Sequence, residues 1–226
     1  MRTRIKICGM TRPQDVDAAV DAGADAVGFV FYPSSPRYVT PESAAALAAR
    51  LPPFVTAVGL FVNTDAKTVR AIAARARLQL LQFHGDESAD FCNDFDLPFI
   101  KAARVRPDLD LLKYAQQFNA ARGILLDAFV EGYGGGGEVF DWALIPGEIA
   151  ARVVLSGGLH AANVGAGIAA LGRFGAPRAA PLGVDVSSGV EVAKGIKDGA
   201  LIRAFVAAVR AADENLLAGA SHHKGT

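Results

Sequence analysis

Gly183-Val184-Asp185-Val186-Ser187-Ser188-Gly189, read with Val153-Val154-Leu155-Ser156-Gly157-Gly158 before it, sets the architecture expected of this chain. Each stretch begins as a short apolar run and ends in small residues. Small residues bare the backbone N–H groups, and glycine lets a ligand come close to the main chain. Two such strand ends side by side make a cup of N–H donors. A helix N-terminus after Gly189 would add its dipole to that cup. The arrangement suits a phosphate.

Working outward, apolar runs of strand length recur at Ile5–Cys8, Ala26–Phe31, Val55–Phe61, Leu78–Phe83, Phe99–Ala102, Ile124–Leu126, Val153–Leu155 and Leu182–Val186. Their spacing is that of βα units. The runs are continuous rather than alternating, which marks strands buried on both faces of a parallel sheet. Helical patterns lie between them: Pro13–Asp21, one opened by Thr40-Pro41-Glu42, one opened by Asp65, then 87–95, 108–118, 141–149, 163–171 and 198–217. The first has proline at its start and Gly23 past its end, the expected asymmetry of helix termini. The expectation is a single (β/α)8 TIM barrel over residues 1–217, with a disordered tail over 218–226; the rival is an open doubly wound sheet.

Composition narrows the function. The chain has 226 residues, with Lys+Arg 23 balancing Asp+Glu 23. A zero net charge argues against a nucleic-acid or membrane-surface protein. Cys8 and Cys92 are far apart, which is no disulfide framework and fits a reducing compartment. No signal peptide or membrane span is visible, so a soluble, cytoplasmic protein is expected. No long apolar stripe is left over, which points to a monomer. The four histidines show no metal spacing, so no metal is expected.

In a barrel, function sits where strands end. The strand-end residues are Cys8-Gly9, Phe31 to Arg37, Asn63, His84-Gly85, Lys101 to Arg104, Asp127, Ser156-Gly157-Gly158 and Asp185 to Gly189. Taken singly, each has a bland reading. Cys8 is a small buried hydrophobe, Asp127 a loop cap, His84 a hydrogen-bonded structural histidine, Arg37 a solvated charge, and the glycine pairs turns. Together they gather polar and reactive groups on one face. Two sharper-looking signals carry less. Gly165-Ala166-Gly167-Ile168-Ala169-Ala170 fits a dinucleotide fingerprint but does not directly follow a strand. Gly134 to Gly137 has no Gly-Lys-Ser/Thr after it, so it reads as a mobile loop or lid and not as a P-loop.

The order Lys6-Ile7-Cys8-Gly9-Met10-Thr11, Ser35-Pro36-Arg37, Gln82-Phe83-His84-Gly85, Phe140-Asp141-Trp142, Leu155-Ser156-Gly157-Gly158-Leu159 and Asp185-Val186-Ser187-Ser188-Gly189-Val190-Glu191 resembles the motif series of the phosphoribosylanthranilate isomerase family. The match covers nearly the whole chain. It departs from the family pattern in the four glycines before Glu138 and in Phe83 where leucine is usual. The resemblance implies a (β/α)8 barrel of tryptophan biosynthesis that performs an Amadori rearrangement without a cofactor. It also implies Cys8 as general base and Asp127 as general acid.

A thiol acts as a base only as thiolate. A free aspartate loses its proton at about pH 3.9, so as an acid Asp127 needs an apolar site or the substrate's charge to keep it. The substrate then carries a phosphate for Gly157, Gly158, Ser187, Ser188 and Gly189, and a carboxylate for a two-pronged pair with Arg37. His84 is a weaker candidate for the carboxylate end. Asp185 is expected to order the eighth loop or bond a sugar hydroxyl. Two alternatives remain. Another phosphosugar barrel enzyme would want metal ligands or a catalytic lysine, for which Lys6 and Lys101 are available. A non-enzymatic binder would keep the cup but have no use for Cys8 and Asp127.

Overall fold

The computed structural model describes residues 2–128, 139–172 and 183–222. The eight apolar runs form β1 (Arg4–Cys8), β2 (Ala26–Val30), β3 (Thr56–Phe61), β4 (Leu80–Phe83), β5 (Phe99–Val105), β6 (Ile124–Ala128), β7 (Val153–Leu155) and β8 (Gly183–Val186). They pair in parallel, in chain order, and β8 returns to β1, so the sheet is a closed barrel and not an open one. Leu182 and the glycine run 134–137 lie outside the described residues.

Alternation within each strand decides what faces inward. Ile5 and Ile7 of β1, Leu81 and Phe83 of β4, and Ile124 and Leu126 of β6 pack outward against the helices. Their neighbours point into the barrel, where Ile100, Ala102, Leu125 and Val154 form a small separate core against Leu80. Lys6 and Cys8, Gln82, Asp127 and Asp185 occupy the same inward phase on β1, β4, β6 and β8.

The helices follow from their caps. Thr40, Asp65, Ser88 and Asp110 each accept a hydrogen bond from the N–H three residues on, and so start α2 (Pro41–Ala48), α3 (Ala66–Arg75), α4 (Ala89–Asn93) and α5 (Leu111–Gln117). α1 (Pro13–Asp21) has the expected bounds, with proline in its first turn. α6 (Val164–Gly172) and α7 (Gly199–His222) complete the set. The glycine motif 165–170 is thus helix interior, and α7 runs past Leu217 to His222.

Three expected helices are corrected. The pattern over 141–149 yields one 3-10 turn, Trp142–Leu144, because Pro146 pushes the preceding Ile145 into extended backbone. Residues 87–95 yield the short α4, because Glu87 turns away to other partners. No α-helix starts after Gly189. A 3-10 turn, Ser188–Val190, leads into an antiparallel hairpin of β9 (Glu191–Ala193) and β10 (Ile196–Lys197) before α7 begins.

The last helix is tied to the start of the chain. Asp213 accepts from the Thr3 N–H at 2.9 Å and from the Thr3 hydroxyl at 2.6 Å, and both residues are buried. Asp213→Ala strands these donors, at a cost of about 2 kcal/mol. The expected result is a Tm lower by about 4–8 °C, with kcat and KM unchanged; calorimetry alongside steady-state kinetics checks it.

Candidate active site

The C-terminal mouth of the barrel is built from the inward phase of four strands. On β1, Lys6 and Cys8 are successive inward residues. Lys6 Nζ donates to Asp185 Oδ1 at 2.8 Å, and Lys6 and Asp185 are direct register partners across β1 and β8. The pair is almost wholly buried. Burial works against charge on Lys6, but Asp185 and the neighbouring Cys8 outweigh it and hold its pKa above the ordinary lysine value. The sequence left the direction of Lys6 open. It points inward, beside the thiol.

Cys8 is 4% exposed. Burial pushes its thiol up, Lys6 pulls it back and Asp185 adds to the rise. Its room comes from Gly28 on β2, where a Cβ would lie 2.6 Å from Cys8 Sγ. The other thiol, Cys92, lies in α4 and is pushed up to about 12 by burial.

On the far side, His84 joins Asp127. His84 Nε2 lies 3.1 Å from Asp127 Oδ2, and His84 Nδ1 lies 3.0 Å from Gln82 Nε2. The sequence offered His84 for a carboxylate on the ligand; it is held instead by the carboxylate of Asp127. The Asp185 carboxylate lies between the halves of the site, within electrostatic reach of Lys6, Asp127 and His84.

Below His84 runs a buried brace. Glu87 accepts from the N–H groups of Asn63 (2.8 Å) and Gly85 (2.9 Å). Lys101 Nζ donates to Gly85 O at 2.6 Å and to Glu87 at 3.2 Å. Lys101 therefore sits on the outer face of β5, packed under Phe118, and does not reach the mouth. It is a structural residue that fixes the turn carrying His84.

Arg37 comes from the loop after β2. Its Nε and Nη2 both donate to the Glu191 carboxylate at 2.8 Å, a two-pronged pair. Lys197 Nζ donates to the same carboxylate at 2.7 Å and to the Ser187 carbonyl and hydroxyl, each at 3.1 Å. The Ser187 hydroxyl donates to Cys8 O at 3.0 Å. Burial would raise Glu191, but Arg37 and Lys197 hold it below the usual carboxylate range. Glu191 thus takes the side edge of the guanidinium and leaves its end, at Nη1, without a partner among the described residues. Sequence reasoning missed Glu191 and Lys197 as the residues that aim Arg37; an acidic and a basic residue at the two ends of a hairpin were the available signal.

The strand ends expected to build the cup, those of β7 and β8, lie side by side. Gly157 and Gly158 take φ of +77° and +59°, the left-handed region that favours glycine. A Cβ on Gly157 would lie 2.9 Å from Asp127 Oδ1, and one on Gly189 would overlap the Leu159 carbonyl, so the two loops touch. The N–H groups of Gly157 and Gly158 have no acceptor among the described residues. Around the ring the groups fall in the order Asp127, cup, Cys8, Arg37.

Comparison with known proteins places this geometry. Residues 5–208 match the family model "N-(5'phosphoribosyl)anthranilate (PRA) isomerase". The N-(5'-phosphoribosyl)anthranilate isomerase of Dechloromonas aromatica is 60% identical over 96% of this chain and 100% of its own. The crystal structure of the phosphoribosyl anthranilate isomerase of Thermotoga maritima superimposes with a TM-score of 0.81 at 39% identity, over 92% of this chain and 99% of that one. A second structure of such an isomerase was solved with reduced 1-(o-carboxyphenylamino)-1-deoxyribulose 5-phosphate. It matches with a TM-score of 0.78 at 38% identity, over 92% and 99% of the two chains. A closed eight-stranded barrel with an inward thiol and carboxyl flanking a glycine cup, matched along nearly its full length, belongs to the N-(5'-phosphoribosyl)anthranilate isomerase family.

Proposed function

We propose that this family member works on N-(5-phosphoribosyl)anthranilate with Asp127 as general acid and Cys8 as general base. Asp127 gives its proton to the furanose ring oxygen, the C1′–O bond breaks, and the nitrogen lone pair forms an iminium. Cys8, as thiolate, takes the proton from C2′, and the electron pair of that bond neutralises the iminium to give an enolamine. Tautomerisation then gives 1-(2-carboxyphenylamino)-1-deoxyribulose 5-phosphate. Atoms balance within the substrate, so no redox partner is required.

The observation that carries this reading is the ring order at the mouth. The acid on β6 and the base on β1 flank the N–H cup at the ends of β7 and β8, and Arg37 lies beyond the base. Bound phosphate in the cup sets the ribose between acid and base. The Nη1 end of Arg37 then meets the anthranilate carboxylate. Lys6 is the counter-charge of the thiolate: burial raises the Cys8 thiol, and a fixed ammonium beside it offsets part of that cost. Lys101 faces away from the mouth and Lys6 is held in a buried ion pair with Asp185, which weakens the reading as an indole-forming enzyme with a catalytic lysine there. A binder without catalysis gains nothing from an inward thiol and carboxyl pair.

Cys8→Ser and Asp127→Asn should each lower kcat by about 10²-fold or more, with circular dichroism unchanged. Arg37→Ala should mainly raise KM. A serine variant with near-normal kcat removes the base from the scheme. In native protein at pH 8, iodoacetamide should modify Cys8 at least about tenfold more slowly than free cysteine, whereas both thiols react at once in denaturant. We also read the chain as a cytoplasmic monomer. Light scattering should give 23.5 kDa, and twice that mass refutes it.

A further inference from the structure

Gln82 stands one inward step below His84 on β4. It is fully buried, and its Oε1 has no hydrogen-bond partner. Its Nε2 meets His84 Nδ1 at 3.0 Å, and that is the one polar contact its side chain makes among the described residues. A buried amide is ordinarily anchored at both atoms. This one is anchored at neither end except through His84.

Amide oxygen and nitrogen are told apart by their partners alone. Turning the Gln82 amide puts Oε1 at His84 Nδ1 and leaves the number of contacts the same. The chain of three side chains therefore has two self-consistent proton arrangements. In one, Gln82 donates to Nδ1, and Nε2–H donates to an ionised Asp127. In the other, Nδ1–H donates to Gln82 Oε1, and the bare Nε2 accepts a hydrogen bond from the O–H of a neutral Asp127 carboxyl. A general acid needs the second arrangement, in which it holds its proton.

We propose that Gln82 is a positioning residue that turns its Oε1 to His84 Nδ1–H, fixes that tautomer, and through it keeps the proton on Asp127 until ring opening. The proposal rests on the assignment of Asp127 as acid. This is a relay of hydrogen bonds, and the only proton that moves is the one Asp127 gives to the substrate. The unanchored amide is what allows the relay: a glutamine held by other partners at both atoms could not turn its oxygen to the ring.

The test is the pH dependence of kcat in the full-length enzyme. In Gln82→Met, His84 is free to donate Nε2–H to Asp127 at all times, which favours the ionised carboxylate. We expect kcat lower by about tenfold, KM within twofold, and the alkaline limb of the kcat profile moved to lower pH by about one unit. Added to His84→Gln, the same substitution should change kcat by less than about twofold, since it acts through that ring. A profile that overlays the native one, or effects that simply multiply, overturns the relay. If Gln82→Met does not fold, ring-nitrogen NMR of the native enzyme at its pH optimum decides. The Nδ1–H tautomer at His84 supports the relay, and Nε2–H alone overturns it. Asp127→Asn separates the two ideas: full activity there sinks the acid assignment, whereas loss there with an unshifted Gln82→Met profile sinks the relay and leaves the acid in place.

Discussion

The contact on which the rest depends is the buried ion pair of Lys6 and Asp185. They are register partners on the first and last strands, at the seam where the barrel closes. An open sheet would expose a row of unpaired N–H and C=O groups at this edge. Closure removes the edge, and the charge pair sits on the joint. Taking two charges out of water costs several kcal/mol per ion, and an apolar pair of similar volume is often as stable. Stability alone therefore does not explain it. The pair brings an ammonium to within reach of a thiol that burial pushes up, and the ammonium pulls it part of the way back. Removing either partner leaves a lone buried charge, so fold and chemistry are held by the same bond.

A second network divides the labour. Glu191 and Lys197, on the hairpin after β8, grip Arg37 and Ser187, and Ser187 reaches the carbonyl of Cys8. The loops after β1, β2 and β8 are thereby tied to one another. On the other side, Glu87 and Lys101 fix the turns after β3 and β4 and with them His84. The inward groups project from short strands, and their loops are bolted from outside the barrel.

Much of this was legible in the residues. Continuous apolar runs announced strands covered on both faces, and seven of them lie within a few residues of the observed strands, the eighth starting at Leu182 outside the described residues. Polar residues at their C-terminal ends marked the mouth. What stayed hidden was direction. Lys6 lies between Ile5 and Ile7, and Lys101 between Ile100 and Ala102. In a strand buried on both sides neither pattern says which face is inside, yet Lys6 points in and Lys101 out. Gln82 read as part of a motif and not as a neighbour of His84. Glu191 meets Arg37 across 154 positions of chain, a pairing no local rule finds. The expected helix after Gly189 failed because the segment is claimed by that pairing.

Glycine explains how a packed barrel keeps room for a ligand. Interiors of such barrels are filled by layers of side chains, and here Ile100, Ala102, Leu125, Val154 and Leu80 form such a layer. Towards the mouth that filling gives way. A methyl at Gly28 would press on Cys8 Sγ, and one at Gly157 would press on Asp127 Oδ1 and on the Ala128 N–H. The group read as base and the group read as acid each lie against a residue with no side chain, on the neighbouring strand or at its end. Space is made at those two points, and the side chains of Lys6, Asp185, Asp127 and His84 border it. A site made by omission tolerates few substitutions, because a carbon added at either glycine lies within 3 Å of the Cys8 thiol or of the Asp127 carboxyl.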